Sequence, residues 1–378
     1  DELRGLPISY ALGPYIAGSI ADSDIVFASQ SVPLTSPPLA ETRERGIALT
    51  SMMAEFLRRC PGPTIGITSS SGKTTTTSLV AHIFATDGRA YRAGGNMGIG
   101  LMGLLDGFDE RTWAVLEISH NQLQLTDRSP HIAAILNITP NHLDQFSWED
   151  YIALKHNIVR YQTAEDYVVL GLDNDLAAAA ADLTPAHVAH FSMTQDVPGD
   201  GAFVRDGAIF VRREAIETMV LPVADIPLRG AHNVENVLAG AAITMLAGIA
   251  PETIAAGVRS FQAVPHRLEF VGEVDGVHYV NDSIATTPER TLAGLRSFSE
   301  PVVLLLGGRD KHLPKEELAD EALHRCTGIV CFGEDGALME AAIEAGASGV
   351  AFEERPVMQR VVTLRELRRE VGNDAARF

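Results

Sequence analysis

Hydrophobic and polar positions alternate along this chain with two different periods. Short runs rich in β-branched residues predict buried strands, and runs with apolar residues three to four positions apart predict helices. The most informative pair is a predicted strand at residues 63–68 with a predicted helix at residues 78–85 close behind it. Further strands are predicted at residues 114–118, 132–137 and 167–170. This alternation indicates an α/β protein.

The region from residue 64 to about 263 predicts a largely parallel sheet covered by helices on both faces. Within it, residues 202–211 predict a hairpin with Asp206 and Gly207 at its turn, and residues 233–249 predict a buried helix. Before this region, residues 1 to about 60 resemble the remnant of a small α/β unit that begins abruptly. We therefore expect additional N-terminal sequence and omitted internal loops.

After Pro265 the strand pattern starts again. Predicted strands at residues 277–282, 301–308 and 328–333 end in Gly or Asp before a helix. Such endings are typical of a doubly wound sheet. We therefore expect a third domain here.

Composition limits the functional classes. A chain of 378 residues exceeds the size of most single cores, and 46% hydrophobic with 21% charged residues is typical of a soluble globular protein. No apolar run approaches the ~20 residues of a membrane span, and no signal peptide is recognisable, so we expect a cytoplasmic protein. A net charge of −19 argues against nucleic acid as a partner. The three cysteines are too few and wrongly spaced for a disulfide framework or a zinc site.

Residues 66–77 predict a nucleotide phosphate loop. A strand, a Gly/Ser turn and a helix start aim several backbone N–H groups at one point, where the helix dipole favours an anion. Lys73 would reach the terminal phosphates, and the Thr74 hydroxyl would bind Mg²⁺. The strict Walker pattern requires Gly where Ile67 stands, so a simple Ser/Gly turn remains an alternative. Four threonines after the lysine argue against it, because threonine forms helices poorly.

Other polar residues follow predicted strands or lie on predicted helices. Glu117 closes a strand, where a carboxylate would meet the metal, and His142 lies on a loop after the strand at 132–137. Each has an ordinary alternative, namely a strand-end carboxylate and a surface histidine. Lys155 lies on a predicted helix and, taken alone, would be interpreted as a solvated lysine.

Two further polar groups lie near predicted boundaries. Asn233 and Asn236 at a helix start are equally consistent with capping. Arg267, at the joint between two predicted domains, would clamp a phosphate or hold the hinge.

Taken in order, these pieces resemble the Mur ligase family, and most closely its MurD-type, glutamate-adding members. The resemblance covers about residues 25–345. The segments that carry it are residues 66–77, 94–98, 117–119, 137–144, Lys155, residues 232–236, 265–269, 281–283 and 306–311.

The resemblance implies a three-domain Mur ligase architecture with Rossmann-like N- and C-terminal domains around a central P-loop ATPase domain. The implied borders are residues 1–62 for an incomplete UDP-binding domain, 63–263 for the ATPase and 264–378 for the amino-acid domain. The implied reaction is ATP-dependent ligation of glutamate to UDP-N-acetylmuramoyl-L-alanine through an acyl phosphate, by a cytoplasmic monomer that supports peptidoglycan synthesis. Alternatives are a silent nucleotide-binding relative, an L-glutamate-adding variant, and a tripeptide-adding or folylpolyglutamate-type ligase.

The resemblance also implies roles for individual residues. The ATP phosphates would contact Ser70, Ser71, Gly72, Lys73, Thr74 and Thr75, and the rest of the nucleotide would contact Asn233, Asn236, Arg267 and Asp282. Two Mg²⁺ ions are implied, the first at Thr74 and Glu117 and the second at His142 and a carbamylated Lys155. The catalytic set would be Lys73, Glu117, His142 and Lys155, and the substrate contacts would be Asn96, Ser119, Thr286 and Lys311.

Three residues depart from the family pattern. Ser69 stands in the place of a usual Gly and would be strained if its φ were positive. Asn141 replaces an Asp, which removes a carboxylate near the metals, and Ile284 replaces a Lys. The glutamate-embracing segment of the family is not recognisable after Leu364. We expect D-glutamate in preference to L-glutamate, with the choice left open by these differences.

Overall fold

The computed structural model describes residues 6–9, 13–97, 100–141, 143, 145–309, 313–347 and 356–361. Its N-terminal part contains strand β1 (Ile25–Phe27), helix α1 (Pro37–Glu44), strand β2 (Ala48–Thr50) and helix α2 (Met52–Arg59). The two strands pair in parallel as a sheet of their own. Ser51 caps the N-terminus of helix α2, because its Oγ accepts a hydrogen bond from the Ala54 N–H at 3.2 Å.

A nine-stranded sheet forms the centre of the molecule. Its strands in chain order are β3 (Thr64–Thr68), β4 (Tyr91–Gly95), β5 (Trp113–Glu117), β6 (Ile132–Ile135), β7 (Tyr167–Gly171), β8 (His187–Ser192), β9 (Gly201–Arg205), β10 (Ala208–Arg213) and β11 (Ile216–Pro222). Their spatial order is β11-β10-β9-β8-β7-β6-β3-β5-β4. All neighbours from β4 to β9 are parallel, and β10 and β11 extend the sheet as antiparallel strands. The predicted largely parallel sheet is confirmed, as is the hairpin at Asp206 and Gly207.

Helices cover both faces of this sheet. They are α3 (Lys73–Asp87), α4 (His120–Leu123), α5 (Trp148–His156), α6 (Asp175–Ala178), α7 (Ala231–Leu246) and α8 (Pro251–Ser260), with short 3₁₀ turns at Met102–Leu105, Ala179–Leu183 and Val223–Asp225. Strand β5 directs Val115 into the core beneath α3, α7 and α8, and Leu116 into the core beneath α2 and α5. The predicted buried helix near residue 233 is α7. Helix α2, assigned by sequence to the N-terminal region, packs through Met53 and Phe56 on the central sheet.

The C-terminal part contains β12 (Glu269–Val274), β13 (Val277–Asn281), α9 (Pro288–Leu295), β14 (Val302–Gly308), α10 (Glu316–Arg325), β15 (Cys326–Gly333), α11 (Gly336–Gly346) and β16 (Val357–Val361). Strands β14, β15 and β16 form a parallel sheet in the described residues, as predicted for 301–308 and 328–333. Residues 277–281 form the predicted strand, as β13, but they do not join a doubly wound sheet as expected. They form an antiparallel hairpin with β12, because Asp275 and Gly276 both take positive φ, 51° and 79°, at a tight turn.

The parallel arrangement decides where chemistry can occur. Strands β3, β5 and β6 all end at the same edge of the sheet, at Thr68, Glu117 and Ile135. The segments that follow them, including the predicted phosphate loop, therefore meet at that edge. Among the described residues, no helix is both long and apolar enough to cross a bilayer.

Candidate active site

The predicted phosphate loop connects β3 to α3 and is held by the segment after β6. The Ser70 N–H donates to the Asn137 backbone carbonyl at 3.0 Å, and the Ser71 N–H donates to Asn137 Oδ1 at 2.9 Å. Asn137 Nδ2 in turn donates to the Ser71 carbonyl at 3.1 Å. Asn137 was given no role from the sequence. Its position directly after a predicted strand of this sheet could have indicated one. Asn137 fixes the loop conformation.

Gly72 is the point at which the loop becomes a helix. Its φ is 90°, and a Cβ there would lie 2.3 Å from Asn236 Oδ1. The same Oδ1 accepts a hydrogen bond from Thr76 Oγ1 at 3.2 Å, and Asn236 Nδ2 donates to Asn233 Oδ1 at 3.0 Å. Neither amide caps α7, whose N-cap is Gly230 without a side-chain hydrogen bond. The capping alternative for these two amides was therefore wrong.

The expected strain at Ser69 is absent, because Ser69 is not among the residues with positive φ. Ser69 is fully buried, and its Oγ donates to the Ser71 carbonyl at 2.5 Å. Ser70 Oγ donates to the Thr139 carbonyl at 2.9 Å and lies 3.1 Å from the Tyr151 hydroxyl. A serine therefore fits the position where the family usually has glycine.

Two lysines meet at the loop. Lys73 Nζ donates to the Ser69 carbonyl at 2.5 Å, and Lys155 Nζ donates to the same carbonyl at 2.7 Å. Lys155 is fully buried, so the interpretation as a solvated lysine was wrong. Its Nζ also lies 4.8 Å from the centre of the Tyr151 ring.

The surroundings change the acid–base behaviour of both lysines. Burial lowers the pKa of Lys73, the charge of Glu117 opposes this shift, and the charges of Arg290 and Arg267 add to it, so that the pKa lies at about 8. Burial, followed by the charge of Lys73, holds the pKa of Lys155 well below its usual value. A neutral amine at Lys155 is thereby favoured.

Glu117 ends β5 and is buried. Its Oε1 accepts a hydrogen bond from Asn96 Nδ2 at 2.8 Å, while its Oε2 is buried without a hydrogen-bond partner. The Asn96 N–H also donates to the Glu117 carbonyl, at 2.9 Å. An orphaned carboxylate oxygen is costly unless a cation binds it, so this atom fits a metal ligand. Within the described ranges no cluster of three or more His, Cys, Asp or Glu residues could hold a metal.

Two arginines from the C-terminal part reach the loop. Arg267 Nη2 donates to Thr74 Oγ1 at 2.9 Å, and Arg290 Nη2 donates to the Ser70 carbonyl at 3.3 Å. Burial and then the charge of Arg290 lower the pKa of Arg267. Arg267 was predicted from the sequence, whereas Arg290 was not. The structure thus brings positive charge to the loop from a part of the chain that is 193 to 220 positions away in sequence.

A cavity of about 290 Å³ opens between the loop and the C-terminal part. The predicted nucleotide contacts that line it are Ser71, Gly72, Thr75, Asn233, Asn236, Arg267 and Asp282. Ile284 and Arg290 line it as well, beside apolar residues such as Leu228 and Leu268. Burial raises the pKa of Asp282, whose Oδ1 accepts a hydrogen bond from the Leu268 N–H at 3.1 Å. The cavity combines apolar walls with a few polar groups, as small-molecule sites do.

Ser119 and Thr286 are not among the described residues that line this cavity. Ser119 forms a capping box with Gln122 at the start of α4. Thr286 is exposed two residues before α9. His142, Lys311 and the segment after Leu364 lie outside the described residues.

Two Mur ligase profiles match the chain. The Mur ligase middle domain matches residues 67–244, and the domain described as "Mur ligase, glutamate ligase domain" matches residues 266–372. Among curated relatives, the UDP-N-acetylmuramoylalanine--D-glutamate ligase of Koribacter versatilis is 40% identical over 339 residues, covering 89% of this chain and 75% of that protein. The ligase of the same name from Clostridium novyi is 38% identical over 333 residues, covering 88% of this chain and 71% of that protein.

Solved structures of related ligases share the fold. MurF from Acinetobacter baumannii aligns with a TM-score of 0.66 at 21% identity, covering 85% of this chain and 72% of its own. MurF from Thermotoga maritima in complex with ADP aligns with a TM-score of 0.61 at 14% identity, covering 93% of this chain and 88% of its own. The order of the site elements, the two profile matches and the curated relatives agree. The chain therefore belongs to the Mur ligases, ATP-dependent ligases that form amide bonds, and within them to the group of UDP-N-acetylmuramoylalanine--D-glutamate ligases.

Proposed function

We propose that this chain couples ATP cleavage to the addition of D-glutamate to UDP-N-acetylmuramoyl-L-alanine and releases ADP and phosphate. The observation that carries the proposal is the meeting of Lys73, Arg267 and Arg290 at one phosphate loop beside a cavity. The names of the curated relatives supply the two substrates. Peptidoglycan precursor synthesis in the cytoplasm, by a monomer, belongs to the same proposal.

The chemistry explains why cations gather here. A carboxylate is a poor electrophile, so the γ-phosphoryl group is first transferred to the alanyl carboxylate, and the glutamate amine then displaces phosphate from the acyl phosphate. Negative charge grows on the transferring group, and preorganised N–H groups and cations stabilise it. Lys73 Nζ donates a hydrogen bond to the Ser69 backbone carbonyl, which is neutral. A bound phosphate would replace this carbonyl as the acceptor, because a charged acceptor forms the stronger hydrogen bond.

The residues present fit magnesium. Glu117 offers its unpaired Oε2, and Thr74 offers a hydroxyl that now accepts from Arg267. Mg²⁺ favours such oxygen ligands together with substrate phosphates and water, and it neutralises phosphate charge when bound. We assign Thr74 and Glu117 to a first ion, and His142 and a carbamylated Lys155 to a second.

Carbamylation of Lys155 is assigned from the family resemblance, and the surroundings of this lysine support it. The neutral amine attacks CO₂, a C–N bond forms, and one proton is released to give an anionic carbamate. The unmodified ammonium would lie beside Lys73 as a like charge, whereas the carbamate would face it as an opposite charge. Its two oxygens would also be hard ligands for Mg²⁺.

The other assignments follow the cavity and the family pattern. Asn233, Asn236, Arg267 and Asp282 would hold the nucleoside part of ATP, because all four line the cavity next to the loop. We assign Asn96 and Ser119 to the muramoyl substrate, and Thr286 and Lys311 to glutamate. The domain borders at residues 62 and 263 remain part of the proposal.

Release of phosphate tests this function. The purified chain should release phosphate from ATP only with Mg²⁺, UDP-N-acetylmuramoyl-L-alanine and D-glutamate together. Rates with L-glutamate, D-aspartate and meso-diaminopimelate measure specificity. Equal release without an amino acid, or none with any amino acid, contradicts the ligase assignment, and a preference for diaminopimelate would place the chain in a neighbouring ligase class.

A further inference from the structure

Arg290 contributes positive charge to the phosphate loop, but it has not yet been assigned a ligand. It lies in the first turn of α9, is half-buried, and lines the cavity. Its Nη2 donates to the Ser70 carbonyl at 3.3 Å across 220 positions of sequence. The contact therefore exists only because the C-terminal part lies against the loop.

The position of this guanidinium points to the terminal phosphates. Lys73 Nζ lies 3.5 Å from the same Ser70 carbonyl. The lysine of a phosphate loop serves the β- and γ-phosphates. A cation that shares an acceptor atom with this lysine lies at the same end of the nucleotide.

The charge balance at the loop also favours an anion as its ligand. Lys73, Arg267 and Arg290 converge there, and in the described part of the chain none of them lies within 4.0 Å of a carboxylate oxygen. Arg290 instead donates to a neutral carbonyl at a distance near the limit of a good hydrogen bond. A phosphate oxygen would be a stronger and geometrically better partner for a guanidinium.

We propose that Arg290 binds the terminal phosphate of ATP and stabilises it during transfer, as an arginine supplied by the C-terminal part of the same chain. This inference rests on the proposed function. It assigns phosphoryl recognition, rather than recognition of the amino acid, to α9. Because Arg290 comes from the C-terminal part, the transfer would proceed only while that part lies against the loop.

The test compares ligands that differ in the terminal phosphate. Arg290→Ala and Arg290→Gln are titrated with ADP and with a non-hydrolysable ATP analogue, both with Mg²⁺, by calorimetry. We expect at least a tenfold loss of affinity for the analogue and less than a threefold loss for ADP. The kcat should fall by about 10²- to 10³-fold, which is at or below the low end of what an arginine finger contributes to kcat in phosphoryl transfer. Arg290→Lys should recover part of the analogue affinity, because it keeps the charge.

Arg290→Gln separates charge from a structural tie. Glutamine removes the charge, and its amide ends two bonds short of the Nη2 position, so the thermal midpoint of this variant shows whether the tie to the Ser70 carbonyl matters for folding. We expect the midpoint to stay at the wild-type value while the affinity for the analogue is lost. Arg296→Ala is the matched control, because Arg296 directly follows α9, is 46% exposed and pairs with Glu317 and Glu321. It should leave both affinities unchanged.

The outcomes are distinct. Equal losses for ADP and the analogue, or unchanged affinities in Arg290→Ala, overturn the assignment to the terminal phosphate. A wild-type chain that releases no phosphate with its full substrate set contradicts the proposed function instead, and the binding comparison still decides the role of Arg290.

Discussion

Lys73 and Lys155 donate to one carbonyl oxygen, that of Ser69, from two different helices. Both side chains are removed from water, and the charge of Lys73 also acts on Lys155. The pKa of each is therefore lowered, to about 8 for Lys73 and well below its usual value for Lys155. This shared acceptor makes the protonation of the site dependent on what binds there.

Binding of ATP should be accompanied by proton uptake at Lys73. With a pKa of about 8, Lys73 is about half protonated at pH 8 in the free protein. Phosphate charge favours the ammonium and raises that pKa, so binding at pH 8 should take up about half a proton, and less at pH 6.5. Calorimetry in buffers of different ionisation enthalpy measures this number. Uptake that persists in Lys73→Met, or proton release in the wild type, would contradict the assignment.

The sequence identified the parts of the site that lie close together along the chain. Lys73 and Thr74 were predicted from the loop itself, and Glu117 from its place at the end of a strand. These predictions were possible because the carboxyl ends of parallel strands meet at one edge. A short stretch of sequence is sufficient to predict a site residue when the strand, loop and helix that position it follow one another along the chain.

Long-range contacts could not be predicted in this way. Arg290 is separated from Ser70 by 220 positions, so only the packing of the C-terminal part places it at the loop. The burial of Lys155 contradicts the usual preference of lysine for solvent, and no period in the sequence revealed it. The hairpin at Asp275 and Gly276, in contrast, carried the same turn signal as Asp206 and Gly207 and was predictable.

Gly72→Ala should disrupt the loop far more than a matched substitution at the other end of the same helix. Both Gly72 and Gly88 flank α3 with positive φ, 90° and 74°. Alanine at either place costs roughly 1–2 kcal/mol in the left-handed region. At Gly72 the new Cβ would also lie 2.3 Å from Asn236 Oδ1, whereas at Gly88 nothing lies within 4 Å.

Denaturant unfolding and ATP binding of the two variants provide the comparison. Gly88→Ala should bind ATP as the wild type does and lose only the backbone contribution to the free energy of unfolding. Gly72→Ala should lose additional stability and bind ATP at least tenfold more weakly. Equal effects in the two variants would mean that Asn236 moves aside without cost.

Glu117→Gln should weaken the binding of Mg²⁺, so that the reaction needs a higher Mg²⁺ concentration, without unfolding the protein. The carbonyl oxygen of the glutamine can still accept a hydrogen bond from Asn96 Nδ2. The substitution removes the negative charge at the unpaired Oε2. The Mg²⁺ concentration that gives half the maximal rate should rise at least tenfold. The thermal midpoint should stay level or rise, because the substitution removes a buried charge that has no partner. Phosphate release over a magnesium series measures the first and thermal unfolding the second. An unchanged magnesium series would remove Glu117 from the metal site.

Lys155→Ala should abolish most activity, and a short carboxylic acid in the buffer should restore part of it. The wild-type side chain is fully buried at the loop, and its carbamate would present two anionic oxygens there. Alanine leaves a space into which acetate or propionate can place a carboxylate. Phosphate release as a function of carboxylate concentration should therefore rise and saturate in this variant, with no rise in the wild type.

Lys73→Ala provides the opposite control, because its position requires a cation, and carboxylate should leave that variant inactive. The carbamate has a direct readout as well, since ¹³C-bicarbonate should produce a protein-bound carbon signal in the wild type that is absent in Lys155→Ala. Full activity in Lys155→Ala would show that the reaction does not need this side chain. Lost activity without rescue and without a labelled carbon would mean that Lys155 acts as an unmodified amine, which donates to the Ser69 carbonyl and positions the loop. The labelled signal together with carboxylate rescue would identify an anion as the working form of Lys155.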